Sequence, residues 1–535
     1  MADKFRNDCK KPFSKKYQRG LDRHAGHPGR AALKEEQYRQ VCVACDCVLL
    51  APDSALERVA VPWLHVLNEH PVNLAQYERL FERHDSGFRG FLGAVKGLLS
   101  VAKSFLKIDL SRRQPLLPPK ADVMIISHLL NPSQLGAAED FYFGQLPEAL
   151  VAQGIVTVVA LRDHTRRGRQ DAHRSWPATM APRVLLPGTL GGFDELRLKR
   201  RLQKEAGRLK QSAARAATHF EARIYETAAE QAVAPSAMAT LRLHAQVQEM
   251  VKSLRPSSIV VTYEGHAWER IVFAAARSVN PSIRCIGYHH AILFPRQHAI
   301  SRALGRPYDP DIVCTAGHIT REMLERTSGL GGTPLVTVGT RRQENLEISF
   351  SQKVGGQFVP ACLVIPDGTM EECLLIFDFV LKAALMMPAA TFIIRMHPVM
   401  PFSTVMDRDE RLRSLPENVQ ISHETIDVDF ERCRWALYRG SGAAVRATAA
   451  GLRPLYFKPP GELLGIDPLY AMQTWKRVVE TASDLKASLG FDLLCGIEVL
   501  EQEWLPARDF CRQYYTPADL ETFCRSVVSA QRLKQ

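Results

Sequence analysis

Long apolar runs are missing from this sequence. Its 535 residues contain no stretch of about 18 consecutive apolar residues, which excludes an ordinary membrane-spanning helix. The first ten residues are polar and basic and lack the apolar core of a secretory signal. Both absences predict a cytoplasmic protein.

Cysteine patterns typical of metal sites or disulfide frameworks are also missing. The twelve cysteines are scattered, and several fall inside apolar strand or helix patterns, which favours reduced thiols. Cys42 and Cys45 form one C-x-x-C, but no second pair follows at a zinc-binding spacing. Asp427 and Asp429 form an acidic pair in a polar stretch rather than after a strand. We therefore predict no metal and no bound cofactor.

Signatures of nucleic-acid recognition are absent as well. The formal net charge of +12 predicts a partner that carries negative charge. No zinc-finger spacing, RNP-like aromatic string or helix-turn-helix pattern is visible, so we expect no specific nucleic-acid partner. The positive charge gathers in the first forty residues, at 162–169 and at 197–215. Those segments suit an anionic acceptor or membrane surface, or are plain solvated faces.

The length and composition predict a globular protein of two or three domains. Hydrophobic residues make up 46% of the chain and charged residues 24%, and 535 residues exceed one ordinary core. Residues 1–40 read as a basic tail and 41–118 as a mainly helical extension. Within the extension, residues 88–110 have apolar side chains at three- and four-residue spacing, with lysines mostly elsewhere. That pattern suits a helix at a membrane interface or one packed on the protein's own core.

From residue 119 onward, short apolar strands alternate with helical segments, which predicts parallel βαβ units. The fold class predicted is α/β, with two Rossmann-like doubly wound domains facing each other across a cleft. The first covers 119–340 and the second 360–535, with a linker at 341–359. Helices are expected at 139–153, 193–230, 236–254 and 371–385. The expected strands are 121–127, 155–161, 183–187, 258–262, 283–287, 311–315, 334–338, 361–365, 391–395, 419–422, 435–438 and 454–457.

Two strand ends in the second half carry groups suited to a phosphate. Ligands of open α/β sheets gather where the carboxyl ends of strands meet helix starts. After the strand at 435–438, a Gly-Ser-Gly turn precedes an Ala-rich segment, so backbone N–H groups and a hydroxyl are available to an anion. We predict a nucleotide-type ligand here. The residues expected to contact it are Gly440, Ser441, Gly442, His397, Pro398, Arg395, Asp367 and Gly368.

In the first half, Glu264 directly follows the strand 258–262 and is expected to reach the cleft. A partly desolvated carboxylate can have its pKa raised and act as a general base. Glu264 has two structural alternatives, a cap on the helix beginning near Ala267 and a salt bridge to Arg270. His266 is the competing base.

His289 and His290 follow the strand at 283–287 and are predicted to lie near the same cleft. Adjacent residues of a strand point to opposite faces, so these two histidines are not expected to share a metal.

These features together resemble the GT-B glycosyltransferases over about residues 120–490. The nearest resemblance is to capsule Kdo transferases and bacterial sialyltransferases, which use CMP-activated acidic sugars. Those families carry an acid-then-glycine motif, a His-Pro motif and a Ser-Ser/Thr motif. This sequence has corresponding residues at 263–266, 397–398 and 440–442, although Tyr263 replaces one acid and Gly442 replaces the second hydroxyl.

The resemblance implies an inverting, metal-independent glycosyltransferase of bacterial surface polysaccharide or glycoconjugate biosynthesis, cytoplasmic or peripheral on the inner face of the membrane. The donor is a nucleotide-activated sugar and the acceptor a glycan, a lipid-linked sugar or a protein. The segment 442–451 has no acid that could hold a ribose, which favours a CMP-linked Kdo-like or sialic-acid-like donor. Two alternatives stay open. One is a GT-B relative without glycosyl transfer, such as a UDP-sugar epimerase or polyol-phosphate transferase. The other is a catalytically degenerate scaffold.

Overall fold

The computed structural model describes residues 33–66, 71–81, 117–130, 134, 137–165, 181–326, 328–341, 350, 361–460, 462 and 465–528. The amphipathic segment 88–110 lies outside these residues. So do nearly all of the predicted linker 341–359 and most of the predicted tail 1–40. The membrane and core alternatives for 88–110 therefore stay predictions.

The described part of the chain forms thirteen strands in two sheets. They are β1 Val123–Leu129, β2 Thr157–Asp163, β3 Arg183–Leu185, β4 Ser258–Thr262, β5 Arg284–His289, β6 Ile312–Thr315, β7 Leu335–Thr337, β8 Ala361–Ile365, β9 Thr391–Ile394, β10 Val419–Ile421, β11 Cys433–Tyr438, β12 Arg453–Phe457 and β13 Arg477–Val479.

Seventeen α-helices are described besides three short 3₁₀ turns. They are α1 Glu35–Leu49, α2 Leu56–Val59, α3 Pro71–Glu78, α4 Leu146–Ala152, α5 Gly192–Ala213, α6 His219–Ala232, α7 Pro235–Leu254, α8 Ala267–Val279, α9 His298–Ser301, α10 His318–Glu325, α11 Met370–Met386, α12 Phe402–Met406, α13 Ile426–Arg432, α14 Ala443–Ala449, α15 Ala482–Leu494, α16 Ile497–Tyr514 and α17 Leu520–Val527.

Both sheets are parallel throughout and doubly wound. The first has the order β3-β2-β1-β4-β5-β6-β7 and the second β10-β9-β8-β11-β12-β13. The strand order therefore reverses between β1 and β4 in the first sheet and between β8 and β11 in the second. Ligands of such sheets bind at the carboxyl ends beside this reversal. The predicted fold class, two Rossmann-like domains with a helical N-terminal region, is confirmed.

Most predicted elements fall within two residues of the observed bounds, with two instructive exceptions. The helix expected at 139–153 begins only at Leu146, because Asp140 accepts hydrogen bonds from Ser127 and from the backbone N–H groups of Tyr142 and Phe143. The helical segment 193–230 is broken into α5 and α6, and the Thr218 hydroxyl caps the second helix by accepting from the Glu221 N–H. In both places a side chain satisfies backbone donors and starts a new element.

The helices α1 and α3 pack on the first domain rather than forming a separate body. Their apolar side chains share one core with α5, α6 and α7. Arg58 of α2 is buried in that core, where its Nε lies 2.6 Å from Glu205 Oε1 of α5. A membrane-spanning helix is absent from the described part of the chain, since no helix there combines the necessary length and apolar content.

The C-terminal helices return to the first domain. In α16, the Tyr514 hydroxyl oxygen accepts a hydrogen bond from the Leu293 N–H at 2.9 Å. Just beyond it, the Thr340 N–H donates to the Thr516 carbonyl and the Asp519 N–H to the Val338 carbonyl, both at 2.8 Å. The helix α17 then packs over β4, β5 and β6. The C-terminal segment thus ties the two domains together.

This return depends on a close backbone approach at Gly339, which we expect to be intolerant of any side chain. Gly339 has φ of +72°, and a Cβ there would lie 1.9 Å from the Pro517 carbonyl oxygen. Gly339→Ala should lower the free energy of unfolding by about 2–4 kcal/mol, from left-handed backbone strain plus overpacking. Gly332 is the control, because its φ is +77° but nothing lies within 4 Å of its Cβ position. Denaturant unfolding of both variants checks this, and equal losses would contradict it.

Candidate active site

Three loops of the second domain meet at the carboxyl ends of adjacent strands. Residues 367–368 follow β8, residues 397–398 follow β9 and residues 440–442 follow β11, and these three strands are neighbours in the sheet. A Cβ on Gly368 would lie only 2.9 Å from His397 Nδ1, so the first two loops touch. The Asp367 carboxylate accepts from the Thr369 N–H and hydroxyl at 2.8 and 2.9 Å, which shapes its turn. Loop residues that are some seventy positions apart in the sequence thus lie at the same edge of the sheet.

The Gly-Ser-Gly turn begins next to Arg439, whose buried guanidinium anchors it. Arg439 is 1% exposed, and its Nε lies 2.5 Å from Glu372 Oε2 at the start of α11. Its Nη2 lies 2.5 Å from Glu462 Oε2. Burial raises the pKa of Glu462 despite the neighbouring Arg439. These contacts join the turn after β11 to the helix that follows the 367–368 loop, so both loops share one anchor.

The same turn touches the first domain. A Cβ on Gly442 would lie 3.1 Å from Ile292 Cγ2 and 3.2 Å from the Tyr515 hydroxyl oxygen. Ser441 is 6% exposed at this junction. Ile292 follows β5 by three residues, so the carboxyl edges of the two sheets face each other here.

Arg395 has a different environment from the other predicted phosphate contacts. Its Nη1 donates to the Glu424 carbonyl at 2.6 Å and to Asp429 Oδ2 at 2.9 Å. Asp429 is fully buried and also binds Ser422 and Arg432. The Arg395 guanidinium therefore forms an ion pair with Asp429, which connects α13 to the end of β9.

In the first domain, Glu264 neither caps a helix nor pairs with Arg270. The backbone N–H groups of Glu264 and His266 both donate to Glu269 Oε2, at 2.9 and 2.8 Å. Arg270 instead pairs with Asp309 and donates to the Ala299 and Arg302 carbonyls. Both structural alternatives for Glu264 are thus filled by other residues.

Glu264 forms a pair with His266 instead. Glu264 Oε2 lies 3.6 Å from His266 Nε2, and the two side chains are 32% and 35% exposed. Burial acts to raise the pKa of Glu264, but the hydrogen bond and charge of His266, with His290 and His289 nearby, outweigh it and hold that pKa well below its usual range. Burial likewise lowers the pKa of His266, but Glu269 and Glu264 reverse this and raise it. The expected increase in the pKa of Glu264 is therefore wrong in direction.

The carboxyl whose pKa does rise is Glu269, the residue that holds the Glu264 and His266 backbone. It is 1% exposed, and burial raises its pKa to about 7 against the opposing charge of His266. Two carboxylates five residues apart therefore favour opposite protonation states.

His289 and His290 lie at the end of β5 and make different contacts. His289 Nδ1 lies 3.0 Å from the Tyr263 carbonyl, so that nitrogen carries the donated proton. Its Nε2 is buried without a hydrogen-bond partner among the described residues. The His290 ring packs edge-on against Tyr142, with centroids 4.5 Å apart. Among the described side chains, no group of three or more His, Cys, Asp or Glu is arranged to hold a metal ion.

Four further residues at this edge were missed by the sequence predictions. The Arg162 guanidinium carbon lies 4.3 Å from the centre of the Trp268 ring. That ring meets His128 edge-on at 4.9 Å, and His128 Nδ1 lies 2.9 Å from His164 Nε2. Burial lowers the pKa of Arg162 to about 10. A usable signal existed, because His128 directly follows the strand predicted at 121–127 and Arg162 directly follows the strand predicted at 155–161.

Comparison with known proteins found likenesses among solved structures alone. No protein-family model matches the chain, and no curated protein does either. A solved glycotransferase of kitacinnamycin is 13% identical, with 77% of this chain and 100% of that chain covered and a TM-score of 0.42. Acinetobacter baumannii MurG is 12% identical, with 76% and 98% covered and a TM-score of 0.43. Neisseria meningitidis UDP-GlcNAc 2-epimerase, bound to UDP-GlcNAc, is 12% identical, with 77% and 100% covered and a TM-score of 0.42.

The protonation of Glu269 predicts a pH-dependent effect of Glu269→Gln. A carboxyl whose folded pKa lies above its unfolded pKa destabilises the fold as pH rises, from about 4.5 up to about 7. The amide cannot ionise, so the variant should gain stability relative to wild type across that window, by ~1–3 kcal/mol at pH 8 compared with pH 5. Thermal unfolding at the two pH values checks this. Glu249→Gln, on an exposed position of α7, is the control, and a pH-independent difference for Glu269→Gln would contradict the assignment.

Proposed function

We propose that the protein is an inverting, metal-independent glycosyltransferase that uses a nucleotide-activated sugar. The observation that supports this most directly is the meeting of two strand edges. One carries the loops with His397 and Ser441, the other carries Glu264 and His266, and the turn of Ser441 touches Ile292 of the second of these edges. A donor phosphate and an acceptor hydroxyl held on these two edges would face each other.

The second domain would bind the donor. The Gly440 N–H is donated to the Ile466 carbonyl at 3.1 Å, so the groups suited to a phosphate are the N–H groups of Ser441 and Gly442, the Ser441 hydroxyl and the His397 ring, with residues 367–368 bordering the nucleotide. As the bond from the sugar's anomeric carbon to the phosphate oxygen breaks, the leaving phosphate takes the electron pair. Hydrogen-bond donors fixed around that oxygen stabilise the developing charge without reorganising. The buried anchor of Arg439 supplies that rigidity.

The first domain would activate the acceptor. The acceptor hydroxyl oxygen bonds to the anomeric carbon on the face opposite the leaving phosphate, and its proton passes to a base. Glu264 is the proposed base, because its carboxylate follows the carboxyl end of β4, is 32% exposed and pairs with His266 at 3.6 Å. His266 is the alternative base. The Arg162–Trp268 contact and the nearby imidazoles provide polar groups for positioning an acceptor.

A CMP-linked Kdo-like or sialic-acid-like donor is favoured. The support is the resemblance of the motifs at 263–266, 397–398 and 440–442, together with the lack of any acid in α14 that could bind a ribose. The proposed setting is bacterial surface polysaccharide or glycoconjugate synthesis, with a glycan, lipid-linked or protein acceptor.

A nucleotide-binding experiment tests the donor side. CMP should raise the melting temperature of the wild-type protein more than UDP or GDP does, because a ligand that binds only the native state stabilises it. Ser441→Ala and His397→Ala should each weaken CMP binding about tenfold, the typical cost of one charge-assisted hydrogen bond. Ser403→Ala, at an exposed position of α12, is the matched control. No stabilisation by any of the three nucleotides would overturn the proposal, and a larger shift with UDP would correct the donor class.

A second experiment tests the base. Glu264→Gln should lower the rate of CMP-sugar hydrolysis or transfer by about 10²–10⁴-fold while leaving the CMP-induced stabilisation unchanged. His266→Asn should shift the pH–rate profile if His266 is only the partner, and should abolish activity if it is the base. Glu249→Gln controls for loss of a carboxylate elsewhere. Nucleotide binding without turnover of any sugar donor would favour the scaffold alternative, and interconversion of free nucleotide sugars would favour the epimerase.

A further inference from the structure

One exposed side of α5 carries a row of cations. Residues three or four apart on a helix share a face. Arg197, Arg200, Lys204 and Arg208 follow this spacing, and Arg215 continues it just beyond the helix end. All five are exposed, and we call them the cation stripe.

Most of the stripe cations are unpaired within the described part of the chain. There, Arg197, Arg200, Lys204 and Arg215 form no ion pair, whereas Arg208 binds Glu205 at 3.2 Å. Of the three acids in the helix, Glu195 and Glu205 are each 1% exposed and face the interior, whereas Asp194 is exposed beside Phe193. The neighbouring helix α6 carries exposed acids at Glu221, Glu226 and Glu230, but none lies within 4 Å of a stripe cation in the described chain.

Apolar groups lie at both ends of the stripe. Phe193, at the start of α5 and one turn before Arg197, is 88% exposed. At the other end, a cavity of about 650 Å³ opens between α1 and the α5–α6 turn. Its lining includes Arg215 of the stripe and the apolar side chains of Val43, Val48, Phe220 and Ile224, together with the acids Glu36 and Glu221. Val43 is itself 63% exposed. Phe193 and this cavity are roughly 30 Å apart at 1.5 Å per helical residue.

We propose that this side of α5 docks the protein on an anionic lipid surface. The cation stripe would contact lipid phosphates, while Phe193 and the apolar cavity would engage acyl chains at the headgroup boundary. A row of unpaired cations attracts any polyanion, but apolar groups at both ends favour a surface with an apolar phase beneath the charges. Nucleic acid provides no such phase for the apolar side chains of the cavity. This inference is independent of the proposed transferase activity.

Vesicle co-sedimentation of the full chain tests the proposal. The wild-type protein should sediment with vesicles of 30% phosphatidylglycerol in phosphatidylcholine at about 0.1 M salt, but not with pure phosphatidylcholine. The variant R197Q/R200Q/K204Q should bind roughly 100-fold more weakly, since each cation near an anionic surface contributes about fivefold. Phe193→Ser should make the remaining binding more sensitive to salt, because the apolar contribution is lost.

The control removes the same charge from other exposed positions. The variant K252Q/R408Q/R413Q should bind like wild type, and unchanged melting temperatures show that each variant is folded. Three outcomes would overturn the proposal: no preference of the wild type for anionic vesicles, equal loss in both triple variants, or wild-type binding by R197Q/R200Q/K204Q. Binding to duplex DNA or RNA without binding to anionic vesicles would also overturn it and assign the stripe to nucleic acid.

Discussion

The two domains meet where a glycine lies against the opposite sheet edge, and the candidate site depends on that contact. A Cβ at Gly442 would lie 3.1 Å from Ile292 Cγ2 and 3.2 Å from the Tyr515 hydroxyl oxygen, so these neighbours would have to shift by a few tenths of an ångström to admit one. The bare backbone lets the turn after β11 lie against the segment after β5. The Tyr514 hydroxyl, which accepts from the Leu293 N–H at 2.9 Å, ties the same segment to the returning helix α16. This close approach therefore contributes to the spacing between the two edges.

Next to this contact, a cluster of buried charged side chains makes the loops of the second domain rigid. Arg439 meets two carboxylates, Glu372 and Glu462, away from water, an arrangement whose desolvation cost is large. Such clusters contribute little net stability compared with apolar packing, but their directional bonds allow only one arrangement of the groups they join. Here those groups are the loops after β8 and β11. The buried charges of Arg439, Glu372 and Glu462 therefore serve mainly to position these two loops.

Much of this arrangement could be predicted from the sequence, because it follows from periodicity and from strand ends. Short apolar runs ending at Thr262, Ile394 and Tyr438 identified the strands, and the polar residues just after them identified the edges. The short edge strand β13 was missed, since three residues, Arg477–Val479, carry too little periodicity. The cluster of His128, Arg162 and Trp268 was missed for another reason. Its members are distant in sequence and adjoin only once β1, β2 and β4 are placed side by side.

The roles of the two glutamates were the least predictable feature. Glu264 and Glu269 are both carboxylates near a helix start, and nothing in the local pattern decides which one accepts the backbone N–H groups. The fold decides it, because Glu269 lies on the inward side of α8 and Glu264 on the strand end that meets His266.

Their environments then separate their protonation states. Burial favours the neutral form of Glu269, whereas the imidazole neighbours favour the ionised form of Glu264. Pairs of titratable groups whose pKa values are pushed apart in this way are typical of acid–base sites. Glu269 holds the backbone of both Glu264 and His266, so the group that orients this pair is itself sensitive to pH near neutrality. The geometry of the Glu264–His266 pair and the local stability of this edge therefore depend on the same three side chains.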